Sequence, residues 1–220
     1  MARQSFGGVV SGMHRTTAWW PAALALLAAY PRTVSSGWRF LLISGSTRAG
    51  STNTAALRTL QHVAPPGVET SLYSGLTQLP AFVPDDEAPA PDAVAALRRE
   101  LAAADAVVFC TAEYAGSVPG SLKNLLDWTV GSSELYGRPV AWINVAAAGR
   151  GAGADATMAT VLGYVGAEII SRACVRVSVP RDGVGQDGLV HAAQQRAELA
   201  EVLTTIVEHL DRRTSAGPHP

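Results

Sequence analysis

Metal-ligand spacing, runs of like charge and membrane-length apolar segments are all missing from this sequence of 220 residues. Its two cysteines, Cys110 and Cys174, lie within or beside apolar, strand-like runs and are not framed by other ligands, so they read as core thiols. The five histidines (His14, His62, His191, His209 and His219) have no ligand spacing with each other or with cysteine, and no metal is expected. Lys and Arg number 17 against 18 Asp and Glu, a net charge of -1 with no long block of either sign. That balance argues against a nucleic-acid footprint or a basic membrane-binding face and favours a small-molecule partner. The apolar run at 18–30 is shorter than the roughly 20 residues that span a bilayer, so no membrane insertion is expected.

What is present is a chain 48% apolar and long enough for one substantial core. Residues 1–37 lack clear periodicity and read as a disordered or loosely packed extension. Arg3, His14 and Arg15 ahead of the apolar run resemble a secretory signal, but no small-x-small cleavage site follows, and a cytoplasmic location is expected. Residues 38–212 read as one domain and 213–220 as a flexible tail. Within the domain, short β-branched or aromatic runs at 39–44, 68–73, 106–110, 140–145 and 174–179 predict strands. Helical patterns at 51–62, 91–103, 119–129, 154–165 and 188–210 fill the gaps. This alternation predicts an α/β domain with a parallel sheet, because parallel neighbours require crossovers; it leaves the strand order open. The connection 74–90, with Pro80, Pro84, Pro89 and Asp85-Asp86-Glu87, is a surface excursion that is either a solvated turn or a functional loop.

Two loops carry the chemistry. Gly45-Ser46-Thr47-Arg48-Ala49-Gly50-Ser51-Thr52-Asn53 leaves a strand and enters a helix at about Ser51. A helix start offers unpaired N–H groups and a positive dipole end, short hydroxyl side chains admit an anion, and Arg48 adds a forked donor. The loop has neither the Walker A nor the G-x-G-x-x-G pattern, so a monophosphate fits it better than a pyrophosphate. An ordinary capped turn is the competing reading. The second loop, Thr111-Ala112-Glu113-Tyr114-Ala115-Gly116-Ser117-Val118, precedes Pro119 at a helix start. That helix should bury Leu122, Leu125 and Leu126 and pair Lys123 with Asp127. A third, Ala146-Ala147-Ala148-Gly149-Arg150-Gly151-Ala152-Gly153, follows the fourth strand; its glycines permit close backbone approach to a ligand, or reflect Ala/Gly drift. All three loops lie beyond the carboxyl edge of a parallel sheet and so converge on one crevice.

The first loop resembles the G-S-x-R-x-x-S-x-N phosphate loop of the NAD(P)H-dependent FMN reductase family. Glu113-Tyr114 with Ser117-Val118-Pro119-Gly120-Ser121-Leu122-Lys123-Asn124-Leu125-Leu126-Asp127-Trp128 is similar to the family's P-E-Y-N-x-S-x-P-G-x-L-K-N-x-x-D-W signature. The resemblance implies a flavodoxin-like three-layer sandwich with a five-stranded parallel sheet in the order 2-1-3-4-5 and helices on both faces. It implies bound FMN, with NADPH or NADH as co-substrate and a quinone or similar electrophile as electron acceptor, in a homodimer or homotetramer. The FMN phosphate would lie on Ser46, Arg48, Ser51, Thr52 and Asn53, and the ring along Ala112, Glu113, Tyr114 and Ala115, with Ala147, Gly149 and Gly151 closing its polar edge. No side chain is implied as catalytic, since the cofactor supplies the chemistry. Ala112 replaces the family's Pro, Ala115 its Asn, and Ala146 and Ala147 stand where relatives often carry hydroxyls. Those changes motivate two alternatives: a flavin-binding electron carrier or sensor without NAD(P)H turnover, and an interaction domain that has lost its cofactor.

Overall fold

A computed structural model describes residues 37–215. The expectations for 1–36 and for 216–220 lie outside the described residues. The elements alternate as read from the sequence: β1 (Trp38–Ser44), α1 (Thr52–His62), β2 (Val68–Leu72), α2 (Asp92–Ala103), β3 (Ala106–Thr111), α3 (Gly120–Asp127), β4 (Pro139–Asn144), α4 (Ala152–Tyr164), β5 (Glu168–Ile169), β6 (Val175–Arg176) and α5 (Ala193–Ser215). The strands pair in parallel in the order β2-β1-β3-β4-β5, with β6 also on β4. This is the flavodoxin-like order.

Period-two alternation along the strands sorts the core into two layers. Phe40 and Leu42 of β1, Val108 and Cys110 of β3, and Ala141 and Ile143 of β4 face α1 and α5, where Leu57, Leu60, Leu203 and Ile206 are fully or almost fully buried. Leu41, Ile43, Val107, Phe109, Val140 and Trp142 point the other way, onto α2, α3 and α4. β3 and β4 are buried along their whole length, as strands covered on both faces by helices must be.

The sheet edge differs from the sequence reading. In place of one strand at 174–179, β5 pairs with the start of β4 (Pro139 and Val140) and β6 with its end (Ile143 and Asn144). A 3-10 turn, Ser171–Ala173, stands between them. It buries Ala173 completely against the α5 layer, and interrupted edge strands of this kind offer little backbone for unwanted pairing. α5 runs to Ser215, past the predicted end at Leu210, because Arg213 ties its last turn to Glu168 (2.6 Å) and to the Gly137 carbonyl (3.3 Å).

The excursion at 74–90 is docked rather than free. Trp128 Nε1 and Asn124 Nδ2 both donate to the Pro80 carbonyl (2.9 and 2.8 Å), the Phe82 N–H donates to Asn124 Oδ1 (2.8 Å), and the Phe82 ring meets Trp128 edge to face. The Asn124 and Trp128 of the second motif are thereby engaged in holding this segment against α3.

Candidate functional site

At the carboxyl edge of β1, Ser51 is the N-cap of α1, its Oγ accepting the Thr54 N–H at 3.1 Å. The hydroxyls of Ser44, Thr54 and Ser51 form a chain with O–O distances of 3.1 and 2.9 Å. The Ser46 N–H donates to Ser44 Oγ and the Arg48 N–H to Ser46 Oγ, each at 3.3 Å. The loop is thus shaped by its own short polar side chains, and since Ser51 satisfies only the Thr54 N–H, the earlier donors of α1 stay available to an anion. Buried Asn53 donates through Nδ2 to the Cys110 carbonyl (3.2 Å), which also accepts the Gly45 N–H (2.8 Å). These two bonds fasten the loop of β1 to the end of β3.

Beyond β3 the chain makes a tight turn in which Tyr114 and Ser117 exchange both backbone hydrogen bonds, at 2.8 and 3.0 Å. Ala115 (φ 50°) and Gly116 (φ 75°) are both left-handed, the geometry of a type I′ turn. Glu113 reaches across to the start of α4, its Oε2 accepting the N–H groups of Gly153 (2.8 Å) and Ala154 (3.3 Å). Its negative charge therefore sits at a positive helix end. Ser117 Oγ lies 3.0 Å from Thr157 Oγ1, a second tie. Gly153 packs so closely that a Cβ there would come 2.0 Å from the Gly116 carbonyl oxygen.

The three loops enclose one open crevice of about 550 Å³. Ser46, Arg48, Ser51, Thr52 and Asn53 line one end, and Ala112, Glu113, Tyr114 and Ala115 follow from the β3 loop. Ala147 contributes from the β4 loop, whereas Gly149 and Gly151 do not reach the wall. Gly151, at φ 98°, instead starts α4, and its carbonyl accepts Asn144 Nδ2 at 2.8 Å. The structure adds an apolar stretch from Val145, Val179 and Pro180, and two cations, Arg150 and Arg181. The loop after β6 was invisible as a site because nothing in its composition marks it; only the pairing of β6 with β4 carries it to this edge. Burial pushes the Cys110 thiol well above its usual range and that of Cys174 up to about 11, so neither offers a thiolate to the crevice near neutral pH.

The family model described as NADPH-dependent FMN reductase matches residues 38–179. The chain belongs to this family. Among the relatives of this FMN reductase homologue are an NAD(P)H-dependent FMN reductase of Pseudomonas aeruginosa, 39% identical over 120 residues, and a quinone reductase of Escherichia coli, 36% identical over 111. The aligned stretches cover 53% and 49% of this chain and 64% and 59% of those relatives, less than two thirds of their length. FerB of Paracoccus denitrificans, a flavoenzyme NAD(P)H:(acceptor) oxidoreductase, superposes with a TM-score of 0.71 at 27% identity, covering 80% of this chain and 98% of its own. The FMN reductase pattern now gains a physical reading at Ala115. Asparagine, which the family signature carries at this position, tolerates the left-handed backbone of a type I′ turn, and here Ala115-Gly116 holds that turn without an amide side chain.

Proposed function

We propose that this chain binds FMN in the crevice and reduces it with NAD(P)H, for transfer to a quinone or a similar small electrophile. The observation that carries the reading is the convergence of a capped helix start, an arginine and an apolar wall in one crevice at the β1/β3 switch point. The residues fit the cofactor. Ser46, Arg48 and Thr52 with the first N–H groups of α1 would hold the phosphate, and Val145, Val179 and Pro180 give a flat ring an apolar surface. When bound, FMN would supply the redox chemistry, a two-electron relay between the nicotinamide and the acceptor. The protein's part is to bind, orient and exclude water. Tyr114, 59% exposed at the lip of the crevice, is placed to shape the entrance for nicotinamide and acceptor. Glu113 acts as a positioning residue, since its carboxylate is engaged by the start of α4.

Anaerobic mixing of FMN-loaded protein with NADPH or NADH tests this reading. The visible absorption band of the oxidised flavin should bleach within a catalytic turnover time. Flavin that binds but stays yellow would overturn the reductase and leave the electron carrier. Among the described residues no helix is long and apolar enough to cross a membrane. We place the protein in the cytoplasm as a homodimer or homotetramer, which light scattering tests against the 22.9 kDa chain mass.

A further inference from the structure

We infer that Arg150 and Arg181 form a second phosphate-binding end of the crevice, one that takes phosphate groups of the nicotinamide dinucleotide. The inference rests on the proposed reductase function and assigns the two cations that the FMN phosphate leaves unused. Three arginines line the crevice, and its one acidic side chain, Glu113, is already engaged by the start of α4. In a chain of net charge -1 the crevice is therefore a concentrated positive field, which gathers anions. FMN carries a single phosphate, and the loop from Ser46 to Asn53 accounts for it.

Arg150 and Arg181 belong to the other end. Arg150 follows β4 and Arg181 follows β6, which pairs with β4 on the side away from β3. At about 4.8 Å per strand position they stand roughly 10 and 14 Å along the sheet from the loop of β1. The neighbouring Arg176 is neutralised by Asp155. The side chains of Arg150 and Arg181 make no ion pair or hydrogen bond among the described residues. Asp155, the acid nearest in sequence to Arg150, is held by Arg176, Trp142 and Asn144. Two exposed, unpaired guanidinium forks beside a cofactor crevice are built for a phosphorylated ligand that comes and goes. A dinucleotide brings a pyrophosphate in both its forms and a 2′-phosphate in NADPH alone.

Calorimetric titration of FMN-loaded protein with non-reducing NADP⁺ and NAD⁺ tests the assignment in R150Q, R181Q and the double variant. The double variant should bind NADP⁺ about tenfold or more weakly, the loss expected of charge-assisted hydrogen bonds to phosphate, with FMN affinity unchanged. A loss confined to NADP⁺ assigns the arginines to the 2′-phosphate, and an equal loss with NAD⁺ to the pyrophosphate. Unchanged affinity for both nucleotides, or a parallel fall in FMN affinity, would overturn the inference. If the wild type bleaches with NADPH while the variants bind like it, this assignment fails alone. A wild type that neither bleaches nor binds NADP⁺ takes the reductase reading down with it.

Discussion

Ala115 shows how one side chain can be read twice. Its φ of 50° places a Cβ in the left-handed region, which costs a non-glycine residue about 1–2 kcal/mol and is eased for asparagine by its short polar side chain. Ala115→Asn or Ala115→Gly should therefore stabilise the protein by about 1 kcal/mol, seen as a rise of roughly 2–4 °C in the thermal midpoint. A fall in either would show that the turn is not held in this form. From sequence, the replacement of the family's asparagine motivated an electron carrier or a domain without its cofactor. The turn makes it first a matter of backbone conformation, because the left-handed geometry is fixed by hydrogen bonds between Tyr114 and Ser117 that no pattern of residue types displays. Asn53 differs in the same way: it lines the crevice, yet its amide joins α1 to the Cys110 carbonyl.

The elements around the crevice are positioned by contacts distant in sequence. Glu113 accepts from the first turn of α4 across 40 residues, a contact that the sequence pattern does not display. Replacing Glu113 with Ala should cost about 1–2 kcal/mol through the lost charge-assisted bond and helix-end interaction, whereas Gln, which keeps a carbonyl acceptor, should cost less. Denaturant unfolding of the pair measures this, and equal losses would mean that the charge contributes nothing. By contrast α1 was legible, because Ser51 caps it from within the same segment. Helix α3 was legible for a similar local reason: Leu122, Leu125 and Leu126 are fully buried, and Lys123 meets Asp127 at 2.5 Å. The split edge strand was not, since Glu168–Ile169 is too short to leave a period and is defined only by its partner β4.

For the molecule as a whole, alternation of strands and helices gave the parallel α/β class, and the strand order came from the resemblance rather than from the pattern. Its buried acids set an alkaline limit. Burial raises Cys174 from 9.0 to about 11 and, with the nearby Glu100 charge, Tyr73 from 10.0 to about 12. Groups whose folded pKa is raised hold their proton more tightly in the native state, so their contribution is intact below the unfolded values and is lost as pH rises. Stability to urea should then fall from about pH 9 towards pH 12. A flat profile across that range would mean that neither group is buried as described. The central claim is narrower: the crevice holds a flavin by its phosphate at the start of α1. Titration with FMN and riboflavin, wild type beside Arg48→Ala, tests it most directly. FMN should bind far more tightly than riboflavin, and the substitution should weaken FMN by on the order of 1.5–3 kcal/mol while leaving riboflavin unchanged. Equal affinity for the two flavins, or an FMN affinity indifferent to Arg48, would contradict the account.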